Sequence, residues 1–285
     1  MDRRQHGGEN KRRDSKTTRL RSSGGEPADD RQIITREAED IEERSTPTTP
    51  VIYEVIRRLG EEEMGRPITS LWWSGVAAGL SISFSLLGQA ILQTHLPDAP
   101  WRPLVSSLGY SVGFIMVVLS RQQLFTENTL TVVLPVMVEL TPRNLLLMAR
   151  IWSTVLLANL AGTLIAALFC TFTPVLTAEL RDGMIEISRQ IMGHGWLDTF
   201  FRGISAGFLI AAMVWIIPSA DAAQFHVVAL MTYLIAVGEF MHIVAGSVEG
   251  FLLVVNGELA VWSMVTDFTV PVYLETLSAA PHYLR

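Results

Sequence analysis

RQQLFTENT, residues Arg121–Thr129, cuts an apolar stretch in two: Leu104–Leu119 runs into it and Leu130–Val138 leaves it. GEFMHIVAG, residues Gly238–Gly246, does the same between Phe225–Val237 and Ser247–Val255. Each half is read as too short to cross a bilayer alone, since a helical crossing takes about 20 residues. Lipid has no water to satisfy free backbone groups, so irregular chain at membrane depth survives only where protein buries it or a wet cavity meets it. Two interrupted segments at matching places are therefore the sequence mark of a transport path.

Working outward, each interruption is flanked by clean spans. Leu71–Leu92, Ile151–Cys170 and Gly203–Pro218 are uncharged and apolar, and Trp72 and Trp73 suit an interfacial belt. The order is span, broken span, span, then span, broken span and a final span that is due. Three crossings per repeat oblige successive repeats to enter from opposite faces, so the relation is an inverted one. The spacings Gly75-x-x-x-Gly79, Gly109-x-x-x-Gly113, Gly203-x-x-x-Gly207 and Ala158-x-x-x-Gly162 supply small-residue faces for close helix packing in lipid. The fold class expected is an all-α polytopic membrane protein with an inverted repeat of three plus three helices and broken second and fifth helices.

Composition agrees with this. Hydrophobic residues make up 49% of the 285-residue chain and charged residues 18%, too apolar for an ordinary soluble domain. The charge is lopsided: 14 of the 22 Lys and Arg precede position 67, and no lysine follows Lys16. The polar stretch up to about Thr49 lacks hydrophobic periodicity and is expected to be disordered, either an inert extension or a partner-binding tail. The first domain thus covers residues 1–66, with a short amphipathic helix near 50–65 (PVIYEVIRRLGEEEMG) on the membrane surface; the membrane domain covers 67–262. Arg57, Arg58 and Arg66 beside the first span favour a cytoplasmic N-terminus. The single cysteine, Cys170, excludes an intramolecular disulfide framework and reads as a small buried hydrophobe. No metal-ligand spacing, nucleophile elbow or phosphate loop occurs, so neither an enzyme nor a cofactor is expected, and nothing points to nucleic acid.

Chemistry concentrates in the interruptions. His242 is an ionisable residue inside a membrane segment, for which a functional role is the default reading, and imidazole is suited to exchanging a proton with a weak acid in transit. The competing reading is a hydrogen-bonded packing residue. Thr126 is placed to hydrogen-bond an anion or His242. Arg121 either attracts anions or pairs with Glu127, and Glu239 stands beside His242. Asn159, alone in the third span, is either an interhelical hydrogen bond or a pore-lining group.

LFTEN at Leu124–Asn128, ANLAGT at Ala158–Thr163 and GEFMHIVAG at Gly238–Gly246 resemble, in order and spacing, the LFTGN-type, GNLxG and GFEHxIAN motifs of the formate/nitrite transporter family. RQQLFTENT and HIVxGSVE resemble a divergent bacterial inner-membrane branch of it. The resemblance covers about Ser70–Val270. It implies an aquaporin-like fold assembled as a homopentamer, one pore per protomer, in the bacterial inner membrane. It further implies passage of a small monovalent anion such as formate or nitrite together with a proton. Carried over residue by residue, Leu124, Phe125, Thr126, Glu127 and Asn128 form the constriction loop and His242 the central proton-exchanging histidine. This sequence departs from the pattern at Met241, where the family has Glu, and at Gly246, where it has Asn. The vestibule lysine of many members is also missing, with Arg189 or His194 as substitutes, and these departures leave the anion open.

The stretch 263–285 is read as an aberrant C-terminus in place of the sixth helix. Asp267–Arg285 is polar and interrupted by proline, and Val272–Leu284 admits codons that, two bases on, spell a Gly-Asn-x-x-Gly-Gly helix start. The sixth helix is accordingly expected to be truncated or frameshifted. Two other functions stand beside transport of anions: a membrane-anchored interaction protein with a decayed pore, and a neutral-solute pore, against which the lack of Asn-Pro-Ala argues.

Overall fold

The computed structural model describes residues 47–274 and 276. The expected disordered tail before residue 47 lies outside the described residues, as does most of the stretch 272–284 on which the expected frameshift rests. Ten helices carry the fold. These are α1 Thr49–Gly65, α2 Ile68–His95, α3 Arg102–Leu119, α4 Phe125–Val138, α5 Pro142–Phe172, α6 Ala178–Met192, α7 Trp196–Ile216, α8 Gln224–Val237 and α9 Ile243–Val255. The tenth, α10, begins at Val261–Ser263, widens into a π turn at Met264–Thr269 and continues as α-helix over 270–274.

α3 corrects one expectation. Its 18 residues, joined through a 3₁₀ turn at Ser107–Tyr110, make it one of four helices long and apolar enough to cross a membrane, with α2, α5 and α7. The sequence reading began this half at Leu104, missing the turn opened by Arg102 and Pro103, where proline sits favourably at a helix start. The partner halves α4, α8 and α9 are shorter, as expected.

The two breaks share one backbone design. After α3, the N–H of Arg121 bonds Val118 O at 3.0 Å and that of Gln122 bonds Val117 O at 3.0 Å. After α8, the N–H of Glu239 bonds Ala236 O at 3.1 Å and that of Phe240 bonds Ile235 O at 2.9 Å. This is the Schellman helix stop, whose turning residue is left-handed and usually glycine. Here that residue is Arg121 in one break and Glu239 in the other, each with φ of 51°. A side chain in this conformation costs on the order of 1–2 kcal/mol. After three more residues each chain re-enters a helix, with Leu124 and His242 as the extended residues just before α4 and α9. The matching stops and restarts put the breaks at equivalent points of the two repeats.

Packing follows the small residues. α2 lies so close to α5 that a Cβ on Gly79 would run into Asn159 O, and one on Gly162 into Val76 O. Gly88 and Gly109 bring α2 against the start of α3 in the same way. The amphipathic α1 buries Ile56, Gly60 and Met64, resting on α4 where Gly60 meets the carbonyl of Thr131. Arg150 holds the α1–α2 corner from α5, donating to Met64 O at 2.8 Å and Arg66 O at 3.3 Å. α6, an amphipathic helix that the sequence reading did not single out, buries Met184, Ile185, Ile187 and Ser188 against the bundle.

α10 stands where the sixth helix is due. The described part of the segment expected to be aberrant, 263–274, is helical and packs on the bundle. Phe268 covers Gly246, Met264 lies over Gly250, Val272 is fully buried, and the Tyr273 ring stacks on Phe125 with centroids 5.9 Å apart. Pro271 does not end the helix. The π turn ahead of it widens the spiral at the level where proline lacks an N–H, and Thr269 Oγ1 bonds back to Met264 O at 3.2 Å.

Candidate functional site

Two cavities approach the breaks from opposite ends of α2. The near cavity, about 390 Å³, lies under α1: Ile56, Leu59 and Glu63 roof it, and Arg121, Gln123 and Glu127 from the first break line it. The far cavity, about 200 Å³, is lined by Gln89 and Gln93 near the other end of α2, Tyr110 of α3, and Phe240, His242 and Glu249. Between them lie Phe114, Leu124 and Phe125, each fully buried.

His242 and Thr126 meet at this point. Thr126 Oγ1 is 2.9 Å from His242 Nε2, joining the second break to the first across 116 residues of sequence. The other ring nitrogen is occupied as well: Nδ1 accepts the Ala245 N–H at 3.2 Å, so His242 is the N-cap of α9. A nitrogen accepting a backbone N–H carries no proton, so the neutral ring has its proton on Nε2 and donates it to Thr126. The edge of Phe114 closes on the ring, with centroids 5.0 Å apart and planes at 81°. Phe114 was not singled out from the sequence, because an aromatic in an apolar run gives no signal of its neighbour.

Asn159 is the interhelical hydrogen bond of its two open readings, and it is a strut behind the first break. Its side chain is fully buried. Oδ1 accepts the Phe125 N–H at 2.9 Å, and Nδ2 donates to Gly75 O and Gln123 O, both at 2.8 Å. One amide thus ties α2, α5 and both edges of the break, fixing the backbone on either side of Leu124. Asn128 turns inward too, donating to Gln123 Oε1 at 2.9 Å. Glu127 instead faces the near cavity, and its Oε1 is buried with no hydrogen-bond partner.

Arg121 lines the same cavity, and among the described residues it makes no ion pair with Glu127. Glu239 sits at the rim of the far cavity, accepting from Arg202 at 3.2 Å with His194 Nε2 at 3.8 Å. The two lysine substitutes do not line either large cavity. Arg189 is held by Glu258 through two contacts of 2.6 Å, a pairing that raises the arginine and lowers the carboxyl from their usual ranges. His194 borders a separate space of about 30 Å³ with Asp267 and Phe268.

The two breaks thus meet at one threonine–histidine contact among buried apolar side chains, with a partly polar cavity beside each break. The comparisons agree with this architecture. The formate/nitrite transporter profile matches residues 50–275. The inner membrane protein YfdC of Escherichia coli is 46% identical over 240 residues, covering 84% of this chain and 76% of that one. The formate channel FocA of Haemophilus influenzae is 32% identical over 155 residues, 53% of each chain. Among solved structures, a pentameric formate channel with formate bound superposes with TM-score 0.65 at 19% identity, covering 76% of this chain and 94% of that one. An FNT family ion channel superposes with TM-score 0.69 at 17% identity, covering 82% and 94%. Profile, relatives and fold converge: the chain belongs to the formate/nitrite transporter family.

Proposed function

We propose that this chain is a channel or proton-coupled transporter for small monovalent anions of the formate and nitrite kind. It works as a homopentamer in the bacterial inner membrane, with the N-terminus cytoplasmic and the near cavity facing the cytoplasm. The observation that carries the reading is the Thr126–His242 contact at 2.9 Å, set between two cavities in a neck of buried apolar side chains. An anion can be hydrated in either cavity, but the neck offers it little in exchange for its water, and desolvating an ion costs far more than desolvating a neutral acid. A proton taken up before the neck makes passage affordable. His242, hydrogen-bonded to Thr126, is the group at hand for exchanging it: the neutral ring takes up a proton on Nδ1, displacing the Ala245 N–H, and the imidazolium gives one back. Arg121, free of Glu127, draws anions into the near cavity, while Leu124 and Phe125 form the barrier to ions.

The family profile over residues 50–275 and the stacking of Tyr273 of α10 on Phe125 favour this reading over a decayed pore. The test is influx of acid into liposomes that hold a pH dye, with formate, nitrite, acetate and glycerol gradients beside a His242→Ala control. Acid influx well above empty liposomes for an anion, lost in the control, is the expected outcome. Influx of no anion above empty liposomes would refute the function.

A further inference from the structure

The far cavity holds a carboxyl group that the mechanism above does not use. His242, Gly246 and Glu249 line it together, spaced by four and three residues and so on one face of α9. Glu249 is 3% exposed, and among the described residues its carboxyl has neither a hydrogen bond nor an ion pair. The charged and titratable neighbours are otherwise occupied. Arg102 lies 3.4 Å from Asp98, Glu239 is paired with Arg202, and Arg189 of α6 is paired with Glu258. Tyr110 of α3 lines the cavity, while α2 and α6 present the neutral amides Gln89, Gln93 and Gln190. Asp267 of α10 lines a different space. Glu249 is thus the one unpaired charged side chain of the far cavity among the described residues, about 10 Å along the helix from His242 at 1.5 Å per residue.

Resting on the function proposed above, we propose that Glu249 is the residue that loads the proton onto the permeating anion in the far cavity. The Glu249 carboxyl O–H breaks, an O–H forms on the anion, and the neutral acid enters the neck past His242. The carboxylate left behind is reprotonated by hydronium from the water of the cavity. No other bond changes and no electron moves. While ionised, Glu249 disfavours a bare anion near His242 roughly tenfold, from Coulomb repulsion over about 10 Å at an effective dielectric near 20. An anion therefore crosses with its proton.

The experiment measures proton and anion uptake together in liposomes carrying the full chain, Glu249→Gln or Glu249→Asp, with formate as probe. Wild type takes up one proton per formate, and influx rises as the pH on the far side falls. Glu249→Gln is expected to lower the ratio of proton to formate roughly tenfold and to flatten the pH profile, and Glu249→Asp to restore both. Dicyclohexylcarbodiimide, which modifies protonated carboxyls in apolar surroundings, is expected to label Glu249 of the wild-type chain and abolish influx, more slowly with formate present. This arm holds even if the glutamine variant does not fold. A glutamine variant with the wild-type ratio and pH profile, or modification of Glu249 that leaves influx intact, would overturn the assignment alone. A wild-type chain that moves no formate or other small anion would overturn the proposed function, and this assignment with it.

Discussion

Replacing Asn159 tests whether the first break is held by one buried amide. In Asn159→Ala the Phe125 N–H and the Gln123 carbonyl lose their partner, at 2.9 and 2.8 Å, and the Gly75 carbonyl loses its bond from outside the helix, at 2.8 Å, in a place with no exposure. A buried polar group left unsatisfied costs about 1–3 kcal/mol. The Gly75 carbonyl keeps its place in the hydrogen-bond ladder of α2, so the Phe125 N–H and the Gln123 carbonyl carry most of the cost, and a total of about 3–5 kcal/mol is expected. At roughly 2–4 °C per kcal/mol for a chain this size, that is a fall of about 6–20 °C in thermal midpoint. Asn159→Asp should be worse than Asn159→Ala, because it turns a carboxyl oxygen toward two carbonyl oxygens while keeping the acceptor for Phe125. The assay is thermal unfolding in detergent beside formate influx in liposomes. A midpoint within about 2 °C of wild type for both variants, with influx intact, would refute the strut.

Three further substitutions or conditions probe other links. Thr126→Val keeps the shape but removes the hydroxyl facing His242 Nε2; influx is expected to fall at least about tenfold with the thermal midpoint nearly unchanged, and Thr126→Ser to recover most of it. Gly246→Asn sets a side chain against the Phe268 ring and is expected to destabilise by roughly 1–3 kcal/mol, whereas the double variant with Phe268→Ala should be less destabilised than the sum of the singles, read as a thermal double-mutant cycle. The Glu54 carboxyl, bonded by Arg57 and Arg58, is held down to about 2. Its folded value lies below its free one, so its support for α1 is complete above about pH 4.5 and is lost as the pH falls toward 2. The protection factors of the α1 amides, with the intrinsic pH dependence of exchange divided out, are expected to fall over that window and to stay level between pH 5 and 8.

The breaks were legible because they violate a rule of the medium: polar residues in the middle of apolar segments have no place in lipid unless something lines them. That reasoning located both interruptions, three of the spans and His242 from composition and order alone. It was blind where the medium places no constraint. α6 lies along the bundle with an amphipathic face, a pattern the apolar spans around it overshadow, and Met184, Ile185 and Ile187 share an apolar cluster with Val248 and Leu252 of α9. The helicity of α10 was hard to read for a different reason. Asp267 and Pro271 read as a broken helix, but the chain needs only Phe268, Val272 and Tyr273 on one side to pack, and a π turn absorbs the proline. Arg121 had two open readings, attracting anions or pairing with Glu127; both side chains line the near cavity, and among the described residues no ion pair joins them.

The same backbone stop is supported differently in the two repeats, and the difference bears on the proposed proton exchange. In the first break the N–H at the start of α4 is bound by a side chain from another helix, Asn159. In the second, α9 is capped from within by His242 Nδ1, and the bulk behind it is the ring of Phe268 against Gly246. The histidine therefore has two tasks on two nitrogens. Giving up the Nε2 proton alone would leave an imidazolate, so proton exchange at this ring has to pass through the imidazolium, with the incoming proton on Nδ1. That proton displaces the Ala245 N–H and loosens the first turn of α9. Protonation of the ring is thereby tied to the start of the helix that carries Gly246 and Glu249. The neutral ring keeps its Nε2 proton toward Thr126 and meets the passing acid as a hydrogen-bond donor.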